Sequence, residues 1–169
     1  MMKFVSCHIL IRFQIAIVVL VLTSFSPSPS NANSSEDLKF KANFVSLLMK
    51  YVQNKSTNNI CVTGDNQLLN ALKSSPKKAN IITLTGQDIS GCSVVFVGKG
   101  ATSYGSIIKV ADTKSIVTVS DKGGFLNQGG LVELYEKDGK IKFAINLKKA
   151  GVVKVKFDSR LVELADRTI

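Results

Sequence analysis

Four glycines, Gly123, Gly124, Gly129 and Gly130, stand between an apolar β-branched run and two alternating segments, and this stretch constrains the fold most. The run Ser115 to Ser120 is nearly continuous in hydrophobicity, the pattern of a strand buried on both faces of a sheet. Such a strand belongs at the centre. After Asp121 the glycines permit positive φ and close backbone approaches that other residues resist, so the loop can hold an unusual shape. Leu131 to Tyr135 and Lys140 to Ile145 then alternate on either side of Lys137-Asp138-Gly139, and the Asp-Gly pair is a strong hairpin signal. The reading is strand, glycine loop, antiparallel hairpin.

Upstream, strands and helices alternate. Ser34-Ser35-Glu36 offers a helix N-cap, and Phe40, Phe44, Leu47, Leu48, Tyr51 and Val52 follow at helical spacing as far as the polar break Asn54 to Asn59. Ile60 to Gly64 is short and β-prone, and Asp65 is placed to cap a helix through Leu72. Gly64-Asp65 lacks the glycine spacing of a dinucleotide fingerprint or a Walker loop and reads as structural. Beyond the polar connector Ser74 to Asn80, Ile81 to Leu84 reads as an edge-side strand and Cys92 to Val97 as the next one. Tyr104 to Val110 is expected to form a short helix or turn. After the hairpin, Leu147 to Gly151 reads as a helical turn stopped by glycine, and Asp158 or Ser159 caps a terminal helix through Ala165. This order predicts an α/β fold: one domain, a mostly parallel central sheet flanked by helices, and a C-terminal antiparallel hairpin.

Residues 1–32 carry Lys3 and Arg12 ahead of an apolar core, Phe13 to Phe25, and end in Ser30-Asn31-Ala32, the layout of a cleaved secretory signal peptide. A membrane anchor is the competing reading, but it needs about 20 apolar residues and the run after Arg12 is shorter. Cleavage leaves residues 33–169 as the mature domain, and it removes Lys3, Arg12, Cys7 and the only histidine, His8. The remaining 20 basic and 12 acidic side chains give a formal net charge of +8. Without histidine, Ser-His and Cys-His mechanisms and the common histidine metal sites are excluded, so no enzyme, metal or cofactor is expected. Cys61 and Cys92 remain, in a compartment where disulfides persist, and a bridge between them is expected; two buried free thiols are the alternative.

The sequence pI is near 9.6, yet the lysines are spread along the chain and only Arg160 and Arg167 remain as arginines. No nucleic-acid motif is present and no nucleic-acid partner is expected. The densest basic cluster is Lys137, Lys140, Lys142, Lys148, Lys149, Lys154 and Lys156, which suits a solvated face, an anionic membrane surface or an acidic partner. Asp121 follows the central strand at the carboxyl end, where open α/β sheets place ligands. It cannot form an acid/base pair alone, and the neighbouring Asn127 and Gln128 supply hydrogen bonds rather than proton transfer. Capping of the loop's own backbone by Ser120 and Asp121 is the plain structural alternative.

The blocks TVSD, GF, GG and DGK-I-KFAINL, in that order, resemble the carboxy-terminal signature of the YfiR-like family. Ala42 to Tyr51, ICVTGD from Ile60 and CSVVFVG from Cys92 resemble its earlier blocks, so the similarity covers roughly residues 36–165. The resemblance implies a small secreted α/β protein without catalysis. Better-understood members bind the periplasmic sensor domain of an inner-membrane diguanylate cyclase and hold the enzyme inactive. Some members carry a further cystine near the glycine loop; this chain has none. On this reading the contact surface includes Asp121, Phe125, Asn127, Gln128, Gly129 and Gly130, with Phe125 either an exposed anchor or core. The surface beside the first helix is a second candidate, and self-association into a homodimer stays open. The alternative function is a small-ligand receptor whose loop 121–130 holds an anion or nucleotide.

Overall fold

The computed structural model describes residues 32–169 except 54, 77, 78 and 87. The signal-peptide reading, with Cys7 and His8, and part of the two polar connectors therefore lie outside the described residues. No helix among the described residues is long and apolar enough to cross a membrane. Residues Ser34–Ile169 form one compact unit.

The elements run α1 (Ala32–Tyr51), β1 (Asn59–Thr63), α2 (Asn66–Lys73), β2 (Asn80–Thr83), β3 (Val94–Val97), α3 (Tyr104–Lys114) and β4 (Val117–Ser120). A 3-10 turn, Leu126–Gln128, interrupts the glycine loop before β5 (Val132–Lys137) and β6 (Lys140–Ile145). Two short helices, α4 (Leu147–Val152) and α5 (Ser159–Leu164), and the two-residue strand β7 (Arg167–Thr168) complete the chain. The strands form one open sheet in the order β2-β1-β3-β4-β5-β6-β7. Every neighbouring pair is parallel except the β5–β6 hairpin. The α/β fold read from the sequence is thus the observed one, and β2 is the edge strand as expected.

Strand alternation divides the interior into two layers. Ile60, Val62, Val94, Phe96, Val117, Val119, Val132, Leu134, Phe143 and Ile145 point to one face, where α1, α2, α4 and α5 cover them. Cys61, Val95 and Val97 point to the other, against Ile107, Ile108 and Ala111 of α3. The central strands β3 and β4 are buried at every position on both faces, and β3 accordingly runs apolar without alternation. Asp65 caps α2 by accepting from the Leu68 amide at 2.9 Å, and Asp158 caps α5 by accepting from the Arg160 amide at 3.0 Å.

Some boundaries differ from the sequence reading. Ser34–Glu36 lie within α1, so the cap read there is not its first turn. α3 continues to Lys114 because Ile107, Ile108 and Ala111 keep one face in the core to its last turn. Gly151 lies inside α4 and does not stop it. The chain turns at Lys154 instead, with φ +59°, and the Val155 amide returns to the Ala150 carbonyl at 2.9 Å. β7 has too few residues to show a period, and it is held by two register pairs on β6.

Cys61 on β1 and Cys92 just before β3 form a disulfide, with Cα atoms 5.8 Å apart and both side chains buried. It closes a loop of 31 residues, for which the chain-entropy relation gives about 3 to 4 kcal/mol. Reduction should lower the urea midpoint correspondingly, and the unreduced protein should take up no thiol label at Cys61 or Cys92.

Candidate functional site

The glycine loop, residues 121–131, joins two parallel neighbours without a helix. It can be short because β5 starts beside the end of β4: Val119 pairs with Val132 and Ser120 with Glu133. The loop lies over the face that α3 covers elsewhere, and there the strands change chemistry. Thr118, Ser120 and Glu133 are all buried on this face. Ser120 Oγ donates to the Val97 carbonyl at 2.5 Å and accepts from the Lys122 amide at 3.1 Å. Thr118 Oγ1 accepts from the Leu131 amide at 3.1 Å. Glu133 accepts from the Gly124 and Leu126 amides at 3.1 and 3.0 Å through its two carboxylate oxygens. A buried amide without an acceptor is costly, so these three side chains permit the loop to stay where it is.

Apolar packing completes it. Phe125 is fully buried and edge-on to Tyr104, with ring centroids 6.1 Å apart. A Cβ on Gly130 would stand 2.2 Å from the Phe125 ring, so only glycine fits. Phe125 is therefore core and not an exposed interface anchor. Tyr104 donates its hydroxyl to the Gly98 carbonyl, and burial raises its phenol above the ordinary range, keeping it a donor. Lys122 lies over the same ring, 4.0 Å from its centroid.

Of the residues nominated from sequence, Asn127 and Gln128 are exposed, Gly129 is half-buried and Gly130 is buried. Asp121 is part of neither the exposed rim nor the backbone caps. Its Oδ2 meets Lys41 Nζ of α1 at 2.6 Å, with its side chain 8% exposed, and its buried Oδ1 has no hydrogen-bond partner. Of the two residues, Ser120 does the backbone capping, through the Lys122 amide. Among the described residues no group of three His, Cys, Asp or Glu is placed to hold a metal ion.

The other ligand position of such sheets is the crevice between β1 and β3, where the strand order reverses. Here backbone fills it. Gly64 has φ +70°, and a Cβ on it would stand 2.3 Å from the Ala101 amide nitrogen; one on Gly98 would stand 2.6 Å from the Gly64 carbonyl oxygen. The Gly100 amide donates to that same carbonyl at 3.1 Å. Gly64 is a packing residue, as its sequence context suggested.

An open apolar groove of about 320 Å³ lies on the opposite layer, between α1, β6 and α5. Phe40, Phe44, Leu47, Ile141, Phe143 and Leu164 line much of it. Phe44 packs on Phe143 with ring centroids 4.7 Å apart and stacks on Phe40 at 6.2 Å. Phe40, Leu47 and Leu164 remain 39%, 38% and 68% exposed. Helical spacing had suggested that all the apolar positions of α1 face the core, whereas Ala42, Val45, Leu48, Met49 and Val52 supply the inner stripe and Phe40 and Leu47 an outer one.

Against known proteins, the chain matches the YfiR/HmsC-like family over residues 38–166. It belongs to that family. No curated protein matches the chain. Among solved structures it is similar to a conserved domain protein from Vibrio cholerae O1 biovar El Tor, with TM-score 0.62 and 13% identity over 78% of this chain and 60% of that one. It is also similar to the ABC domain in complex with L-Trp from Streptococcus pneumoniae, with TM-score 0.55 and 9% identity over 79% of this chain and 60% of that one. The chain thus spans under two thirds of both structures, and identities this low show the shared fold alone.

Replacing Glu133 by Ala leaves the buried Leu126 amide and the half-buried Gly124 amide without acceptors and should cost about 2 to 5 kcal/mol, with Glu133→Gln losing less because one acceptor oxygen remains. Urea unfolding gives the loss, and amide hydrogen exchange at Gly124 and Leu126 should accelerate before that of β4. Gly130→Ala should be at least as damaging, since the Phe125 ring has no room to move.

Proposed function

We propose that this family member is a periplasmic regulatory binding protein that restrains an inner-membrane diguanylate cyclase by holding the cyclase's periplasmic sensor domain. Membership of the YfiR/HmsC-like family supports a regulator of diguanylate cyclase at the level of the family. The observation that carries the binding mode is the groove. A contiguous apolar surface rimmed by polar residues marks a contact site, and Phe40, Leu47 and Leu164 are large side chains left uncovered on such a surface. Asn127 and Gln128, exposed on the glycine loop, are a proposed lesser contact together with Gly129, and Asp121 supports it from beneath through Lys41. The Lys41–Asp121 pair fixes the part of α1 that carries Phe40 against that loop.

The small-ligand alternative draws less support. An anion-binding loop presents free amides, but those of Gly124 and Leu126 bind Glu133, and those of Phe125, Gln128, Gly129 and Gly130 bind carbonyls of the loop itself.

Deleting the gene should raise cellular cyclic-di-GMP, and re-expression of the wild-type chain should restore it. Phe40→Glu combined with Leu47→Glu should fail to restore it while the purified variant keeps its fold, because both side chains are exposed. Placing charge on an apolar anchor should weaken the complex by at least about 30-fold. An unchanged cyclic-di-GMP level on deletion would reject the regulator; restoration by the double variant would move the contact away from the groove. Sedimentation of the purified protein distinguishes a second copy in the groove, since self-association would then be lost in the same variant.

A further inference from the structure

The far end of the sheet has one face that no helix among the described residues covers. Alternation puts Tyr135 and Lys137 of β5, Lys140 and Lys142 of β6 and Arg167 of β7 on that face, because the register pairs Tyr135 with Lys142, Lys137 with Lys140, and Ala144 with Arg167. Glu133 and Ala144 at its inner end are buried, while the residues farther out are exposed or half-exposed. The hairpin also stands clear of the rest of the sheet: β4 pairs only with Val132 and Glu133, so Leu134–Lys137 project beyond it. Lys137 and Lys140 flank the projecting turn at Asp138-Gly139.

Charge on this face is one-sided. Asp166 is its acidic contact, accepting from the Tyr135 hydroxyl at 2.5 Å and from Lys137 Nζ at 3.0 Å. Arg167 lies over the Tyr135 ring, 5.1 Å from its centroid. Four cations stand against Asp166 and, in the projecting turn, Asp138, which leaves a local excess of two positive charges; Glu133 on the same face is buried. Glu136 points to the other face, opposite Ile141.

We propose that this face of the β5–β6–β7 segment docks on the anionic phospholipid headgroups of a membrane. The composition of the face favours a bilayer over an acidic protein. Three of its four cations are lysines, which act as flexible point charges on a diffuse field of phosphates; shaped, bidentate recognition of carboxylates is the work of arginine. The single arginine is already engaged with Tyr135. A protruding sheet segment with lysines about its tip can reach a planar surface without rearrangement. The contact is weak by itself and adds to a protein contact made at the same membrane by keeping the chain concentrated there.

The test is flotation of the secreted protein with vesicles of phosphatidylcholine alone and of phosphatidylcholine mixed with phosphatidylglycerol, at low and at high salt. Association is expected with the anionic vesicles only, and high salt should abolish it. Lys140→Gln with Lys142→Gln should lower partitioning about 25-fold, at roughly fivefold for each cation near the surface. Both positions lie outside the core, so the fold is kept. Lys50→Gln with Lys73→Gln removes equal charge from exposed positions on α1 and α2, across the sheet, and should change partitioning far less. Equal association with both vesicle types, association with neither, or equal loss from the two charge-matched pairs would overturn the proposal. Binding to an acidic protein without binding to vesicles would overturn it too. No cyclase is present in the vesicles, so failure here is separate from failure of the regulator reading.

Discussion

The fold depends on one buried carboxylate. Parallel neighbours are usually joined by a helix that crosses the sheet and covers it, satisfying its own backbone as it does so. Between β4 and β5 an irregular loop does the covering, and irregular backbone brings amides that nothing within the loop can satisfy. Glu133 takes two of them, Thr118 a third and Ser120 a fourth. Each comes from a strand position that would otherwise be apolar, and all three point to the face where the helix is missing. The polar residues in the strands and the glycines in the loop are therefore one solution to one problem: glycine lets the loop come close, and the strand side chains receive its donors. Phe125 seals the arrangement by filling the space that Gly130 leaves open.

This explains what was legible in the sequence and what was not. The strand run, the glycines and the Asp-Gly turn report local backbone preference, and the sheet was built from them as read. The Cys61–Cys92 bridge was likewise accessible, since compartment and residue type limit the choices. Phe125 was ambiguous because a loop aromatic gives no periodic signal; its burial follows from Gly130, five residues on, having no side chain. Glu133 is not legible from sequence, because a charged residue between Val132 and Leu134 has the pattern of the solvent side of an alternating strand. The available clue was the loop itself, since closely packed glycine amides need an acceptor from somewhere. Asp121 drew attention as a ligand-end residue, yet its partner is eighty positions away in α1, a distance over which sequence spacing carries no information.

The groove was hidden for a related reason. Apolar residues at helical spacing announce that a helix buries a face, without saying how wide that face is or how much of it is met. α1 carries two adjoining apolar stripes. The sheet meets one of them. α5, which packs near the other, has six residues and is only about 9 Å long, against about 30 Å for α1. A helix that short cannot cover the outer stripe, so Phe40 and Leu47 stay exposed above Phe143 and Ile141 of β6. The exposed apolar surface thus results from element length, and it sits on the packed sheet: Phe44 and Phe143 form its floor while Asp121 pairs with Lys41 at the middle of the helix.

A groove seated on the packed sheet and a sealed loop together constrain how such a protein can regulate a partner. The loop is tied down by hydrogen bonds at both ends and a buried phenylalanine in the middle, so it is poorly suited to change shape on contact. A regulator of this kind must work by fitting one conformation of its partner better than another, because a binder that fits both states equally shifts neither. For an enzyme whose product forms across the membrane, the difference must then be transmitted within the partner. The seating of the groove bears directly on that. On the proposed reading, an adaptable surface would follow the partner from state to state, whereas a surface seated on the sheet beneath it would lose contact when the partner moved, and that loss would make the two states unequal.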